Sequence, residues 1–311
     1  MTQLARAHGV PEMRYRPVTD ELNFVLTNRI PRIALTRFMG WFSRIEHPLI
    51  SRAALALWRN FADLRLHEAK KTRFASIHDC FVRELKEGAR PIDQDPAVLT
   101  SPCDAIVGAS GSVRGTLAFQ AKGFAYSLLD LLGDARLAAR YVDATYVTLR
   151  ITSSMYHRFH APHDCRVGPV TYFSGDTWNV NPPALERVES LFCKNERALL
   201  RVLLKESGHE VLLVPVAAVL VASIRFNFLP RPLNLRYRGP NFIPYYAEFK
   251  KGEEMGHFEH GSTILVFAPR GFRLLAAEGS IIRAGQPLMR MPVKSRPDPD
   301  FSIPTFPSSW R

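Results

Sequence analysis

Two histidines three residues apart, His157 and His160, lie in the segment Met155-Tyr156-His157-Arg158-Phe159-His160-Ala161-Pro162. Imidazole is the side chain best matched to proton transfer near neutral pH, so such a pair is a candidate acid-base element. In a strand an offset of three sends the rings to opposite faces, whereas one helical turn would bring them together. A second element, Gly261-Ser262-Thr263, stands before the apolar run Ile264-Leu265-Val266-Phe267. Glycine permits backbone geometry that other residues resist, and here it could let the serine hydroxyl approach the carbonyl just before it. The third, Ser101-Pro102-Cys103-Asp104, holds an acid in a turn. Each also has a bland reading: structurally bonded histidines, an ordinary turn, an Asx-type turn.

These groups need a frame. From about Leu22 to Glu87 apolar residues recur at helical steps, as in Phe38, Trp41, Phe42 and Ile45, then Leu55, Trp58 and Phe61. Arg32, Arg37, Arg44, Arg52 and Arg59 are interleaved with them. An aromatic stripe beside a cationic face fits a helix lying in an anionic membrane surface, and equally a helix packed on a core with solvated arginines. After Arg90 the texture turns to short β-rich stretches broken by Gly and Pro. Within them Pro102-Cys103-Asp104-Ala105-Ile106-Val107-Gly108 echoes Pro162-His163-Asp164-Cys165-Arg166-Val167-Gly168. Repeated hairpins of that kind predict a barrel-sandwich-like fold built by duplication. The expected class is α+β: a leader over 1–21, a helical membrane-associating region over 22–89, a β-rich catalytic core over 90–292, and an extended or disordered tail over 293–311.

Composition narrows the partners. A hydrophobic share of 46% with 23% charged residues argues for a folded globular chain rather than a disordered one. The formal charge of +12 favours a polyanion: nucleic acid, acidic lipid or a phosphorylated substrate. No zinc-finger spacing, aromatic RNA-binding signature or compact basic run supports nucleic acid. Cys80, Cys103, Cys165 and Cys193 are scattered, without disulfide-scaffold or zinc-type spacing, so no metal is expected. The N-terminal residues lack a secretory signal, which suggests a reducing, cytosol-facing setting. The longest apolar run, Val211 to Ala222, contains Pro215 and falls short of the ~20 residues a spanning helix needs.

Six motifs then occur in a telling order: Arg90-Pro91-Ile92-Asp93, Ser101-Pro102-Cys103-Asp104, Gln120-Ala121-Lys122-Gly123-Phe124-Ala125-Tyr126-Ser127-Leu128, the Tyr156 to Pro162 segment, Asn195-Glu196-Arg197 and Gly261-Ser262-Thr263. In that order, from about Leu22 to Pro292, the chain resembles phosphatidylserine decarboxylase, a family of self-cleaving proenzymes. The resemblance implies cleavage between Gly261 and Ser262, with Ser262 converted to a covalent pyruvoyl cofactor. It implies His160 as the base that activates Ser262 and Asp104 as the group that orients its imidazole. His157 would donate the proton to the decarboxylated carbon, and Lys122, Tyr126 and Ser127 would neighbour the headgroup. The implied reaction turns phosphatidylserine into phosphatidylethanolamine and CO2 through a Schiff base with the pyruvoyl group. The implied assembly pairs large and small fragments of one chain, with homo-oligomerisation open, peripheral on the cytoplasmic face of a bacterial membrane.

Two positions depart from the family pattern: Ala105 where a glycine is usual, and His260 where an apolar residue is common. They keep open a non-catalytic lipid-binding paralogue. A Ser-His-Asp hydrolase is the other rival, though no Gly-x-Ser-x-Gly surrounds Ser262.

Overall fold

The computed structural model describes residues 21, 31–121, 124–219, 223–259 and 262–292. The expected leader and tail, and the positions Lys122, His260 and Gly261, lie outside these residues. The architecture is α+β with antiparallel sheets. Its centre is a nine-stranded sheet, in which Glu210–Ala217, Ser262–Ala268 and Thr145–Ile151 are three adjacent strands. Every residue of Glu210–Ala217 and of Ser262–Ala268 is buried. A strand covered on both faces reads as an unbroken apolar run, which is how both segments read in the sequence.

The alternation of side chains divides the core into two halves. Ile264, Val266 and Leu213 face one way, onto Phe159, Ile224, Phe226 and Phe258 of a four-stranded sheet built from Leu233–Asn234, Ser223–Phe226, Glu254–Phe258 and Arg158–His160. Leu265, Phe267, Leu212 and Val214 face the other way. They pack on Leu128, Leu131 and Phe192 from short helices. Each large apolar side chain buried in these layers contributes roughly 1.5–3 kcal/mol. The nine-stranded sheet remains open, ending on two-residue strands at Phe242–Ile243 and Ile281–Ile282, so the expected barrel-like closure does not form among the described residues.

The sequence echo has a structural counterpart. His160 N–H donates to the Pro102 carbonyl at 2.7 Å, and Thr100 N–H donates to the Pro162 carbonyl at 3.0 Å. The Asp104 carboxylate accepts from Ala284 N–H and the Asp164 carboxylate from Lys251 N–H. The next residues, Gly285 and Gly252, both have positive φ and donate to the carbonyls of Ser101 and Ala161. Each echoing segment runs into a strand whose register shifts at the same point, between Val107 and Ser110 and between Val167 and Val170.

Among residues 31–89 helical structure is found at Arg32–Phe42, Pro48–Phe61 and the short turns Leu66–Glu68 and Ile77–Phe81. The rest of 62–89 is irregular because it is rich in charge and lacks a continuous apolar stripe. Helix Arg32–Phe42 is latched to the core by Arg32, which forks onto Asp176 at 3.2 and 2.6 Å and lies 3.7 Å over the Trp178 ring. Phe38, Trp41, Leu49, Leu57 and Phe61 remain exposed, Phe61 at 83%. No helix of the described residues is long and apolar enough to cross a membrane.

Two measurements check this packing. A Cβ at Gly256 would run into the Arg225 carbonyl and the Phe159 ring, both on neighbouring strands. Gly256→Ala is expected to cost on the order of 2–4 kcal/mol, read as a lowered Tm. On the same strand, burial and then the Arg158 charge push the His257 pKa from 6.5 down to about 4. The unfolded chain takes up this proton before the folded one does, so stability falls as pH drops from 6.5 towards 4, by about 1–3 kcal/mol. Denaturant titrations across that window should show a flatter pH dependence for His257→Gln than for the parent chain.

Candidate active site

Ser262 is the first residue of the central strand, paired with Ile151 on one side and Ala217 on the other. Strand alternation puts its side chain on the face of Ile264 and Val266, towards the small sheet. The hydroxyl is fully buried and makes no hydrogen bond among the described residues. Leaving such a group unpaired costs about 1–3 kcal/mol, and a cost of that kind persists where the rest of the fold over-determines the position. The segment entering the strand is fixed by Phe258 N–H to the His157 carbonyl at 2.9 Å and Glu259 N–H to the Ser223 carbonyl at 3.3 Å.

The two histidines fall at opposite ends of the short strand Arg158–His160, not on one helical turn. His157 is level with Phe258, at the end next to Ser262. It is fully buried; its ring packs on Phe81 at 3.8 Å between centroids, and its Nδ1–H donates to the Met155 carbonyl at 2.8 Å. That bond places a proton on Nδ1 and fixes the orientation of the ring. The same carbonyl accepts from Arg83, a buried guanidinium that also binds the carbonyls of Cys80, Leu64 and Ser154.

His160 pairs instead with Glu254, beyond a register shift in the partner strand, and is three residues or about 10 Å from His157 at ~3.3 Å per residue. Its Nδ1–H donates to the Gly252 carbonyl at 2.9 Å, and Nε2 accepts from the Tyr156 hydroxyl at 3.0 Å. Burial lowers its pKa and keeps the ring neutral. Asp104 does not orient it. The Asp104 carboxylate is taken by a two-pronged contact from Arg90 at 2.8 and 2.5 Å and by Ala284 N–H at 3.0 Å, and Arg90 continues to Glu68 at 2.9 Å. In this register His157 lies level with Phe258 and His160 level with Glu254, and the Asp104 carboxylate is bonded to Arg90 and Ala284 N–H, not to the His160 ring. The spacing of the residues carried no sign of this, because it depends on the register of Arg158–His160 against Glu254–Phe258.

The other expected residues also fall into place. Tyr126 is buried in the opposite half of the core, edge-on to Phe192, and Ser127 caps helix Leu128–Leu132 by accepting from Leu129 N–H. Neither reaches the face of Ser262. Ala105 begins a strand opposite Ile282 instead of a tight turn, so its methyl meets no backbone constraint. In the Asn-Glu-Arg motif, Asn195 holds the Trp178 and Ala217 carbonyls and Arg197 the Leu131 and Asp130 carbonyls. Glu196 lies on the same core face as its neighbour Tyr172, whose hydroxyl donates to it at 2.9 Å. Burial pushes its pKa up to about 7. Arg83 and Glu196 had no signal of a role in the sequence beyond, for Glu196, its place in a motif.

The sequence model of the family described as phosphatidylserine decarboxylase matches residues 77–290, which hold the strand of Ser262, both histidines and Asp104. The chain is 33% identical over 283 residues to the phosphatidylserine decarboxylase proenzyme of Aliivibrio fischeri, covering 87% of this chain and 98% of that protein. It is 35% identical over 281 residues to the one from Vibrio cholerae, at 86% and 98% coverage, and 34% identical over 248 residues to the one from Pasteurella multocida, at 76% and 82%. With Ser262 buried at the head of the central strand and similarity of this breadth, one conclusion follows: the chain belongs to the phosphatidylserine decarboxylase family.

Proposed function

We propose that this protein is a self-processing decarboxylase acting on phosphatidylserine, and that Ser262 is the residue it consumes to make its cofactor. The observation that carries this reading is the Ser262 hydroxyl, buried and without a hydrogen-bond partner among the described residues, held at the start of a buried strand directly after Gly261 in the sequence. In processing, the hydroxyl oxygen attacks the Gly261 carbonyl carbon, the amide C–N bond breaks, and an ester forms while the Ser262 nitrogen gains a proton. Elimination then breaks the ester C–O bond and frees Gly261 as a carboxylate. Water displaces the nitrogen as ammonia, leaving a pyruvoyl group at position 262.

His157 is the reading's base for the Ser262 proton, since its main chain is bonded to the strand that leads to the serine and its Nδ1–H is committed to Met155. Arg83 and Phe81 position it by holding the Met155 carbonyl and packing on the ring. Asp104, Arg90, Tyr156 and His160 brace the far end of the same strand. The pyruvoyl carbonyl supplies an electron sink for the pair left behind when CO2 departs, a task no ordinary side chain performs. His157 remains in place to return a proton to that carbon.

Cleavage need not separate the pieces. Ser262–Ala268 is hydrogen-bonded along both edges to Thr145–Ile151 and Glu210–Ala217, so the fragment 262–311 stays inside the sheet of fragment 1–261. The +12 charge and the exposed Phe38, Trp41, Leu49, Leu57 and Phe61 support peripheral attachment to an anionic membrane on its cytoplasmic face, where each nearby Lys or Arg is worth ~1 kcal/mol.

Denaturing electrophoresis with intact mass should find two fragments, the smaller lighter by one NH3 than its serine form. A single full-length band from folded protein, unchanged by Ser262→Ala, would leave the lipid-binding paralogue instead. The histidine assignment is tested by His157→Ala, expected to slow self-cleavage by about 10²–10⁴-fold, against His160→Ala, expected to cleave but melt at lower temperature. Rapid cleavage of the first variant and none of the second would return the role to His160.

A further inference from the structure

A cavity of about 250 Å³ opens between helix Arg32–Phe42 and the residues that precede Ser262. Its walls include Arg37, Trp41, Arg44, Ser223, Arg236 and Glu259. Ser223 and Glu259 are bonded to each other through their main chains, and Glu259 stands three residues before Ser262 in the chain. Ser223 is buried, and its hydroxyl has no hydrogen-bond partner among the described residues. Arg44 is neutralised by Glu259 at 2.7 Å. Arg37 and Arg236 come from separate elements and have no ion pair among the described residues. Two larger cavities lie under helix Pro48–Phe61 and touch none of the residues around Ser262.

Two uncompensated guanidiniums on one cavity call for an anion. The volume is below the ~300–1,000 Å³ of sites that engulf a drug-sized ligand, so it suits a headgroup whose chains stay outside. Trp41, 63% exposed, and Phe38 stand at the outer side of the same helix, where acyl chains would meet them. Of the two anions on the substrate, the carboxylate must leave as neutral CO2. Pairing it with arginine would stabilise the ground state over the transition state and slow the reaction. The phosphodiester keeps its charge throughout.

Building on the decarboxylase reading, we propose that Arg37 and Arg236 together bind the phosphodiester of the lipid headgroup and set the depth at which its serine reaches position 262. They are substrate-binding groups remote from the bonds that change, so their loss falls on KM.

The test uses mature enzyme and a short-chain phosphatidylserine kept below its micelle concentration, which removes the membrane. Arg37→Gln and Arg236→Gln are each expected to raise KM about 10-fold, the equivalent of roughly 1.4 kcal/mol. The double variant should raise it further, with kcat within about twofold and self-cleavage complete. Arg236→Lys, which retains charge, should recover part of the loss and guards against misfolding of the Gln variant. An unchanged KM on the monomeric lipid overturns the proposal, as does an effect seen only on anionic vesicles, which would make these arginines membrane-surface contacts. Failure of the unsubstituted enzyme to release CO2 would instead remove the decarboxylase reading.

Discussion

The structure depends on burying one strand, Ser262–Ala268, on both faces and both edges at once. Seven consecutive buried residues, flanked by strands that are themselves almost wholly buried, leave that backbone no room to move. A hydroxyl at its first position is therefore held without a partner among the described residues, at a cost the surrounding apolar packing easily offsets. The same edge pairing explains how a chain could be cut beside this residue and keep its fold. The bonds that hold the strand are lateral, and the peptide bond lost is at its end.

Around that strand the protein spends buried charge on geometry. Arg83, Arg90 and Arg158 thread between the N-terminal segment and the β core, binding carbonyls of Leu64, Cys80, Val82 and Met155 and the carboxylates of Asp104, Glu68 and Glu254. Guanidinium suits this because its donors are planar and fixed, so one side chain ties several elements into register. The consequence for chemistry is indirect but strong. Met155 and His157 are set by contacts from Arg83, and the far end of their strand by the Asp104 and Arg90 pair, so the position of the imidazole is inherited from the whole frame.

The N-terminal helices complete the frame from outside. Arg32 and Arg44 fasten the first helix and the turn after it to Asp176 and Glu259, and this leaves Phe38 and Trp41 exposed while Arg37 of the same helix lines the cavity beside Glu259.

Much of this was legible from residues alone. The apolar runs gave the buried strands, the Pro/Gly echo marked two segments that make matching contacts, and the ordered motifs gave the family and the position of Ser262. The partnering of side chains was not legible. Asp104, His160 and Ser262 form a plausible set by type and order, yet the Asp104 carboxylate is bonded to Arg90, the His160 ring to Gly252 and Tyr156, and His157 lies level with Phe258. Tyr126 and Ser127, in a motif of their own, turned out to pack and cap on the other side of the sheet. Local pattern determines which residues are strand and which are polar, because burial and backbone preference act over a few neighbours. Which histidine lies level with Phe258 is decided by the pairing of Arg158–His160 with Glu254–Phe258, a register set by contacts nearly a hundred residues apart in the chain, and no local preference encodes it.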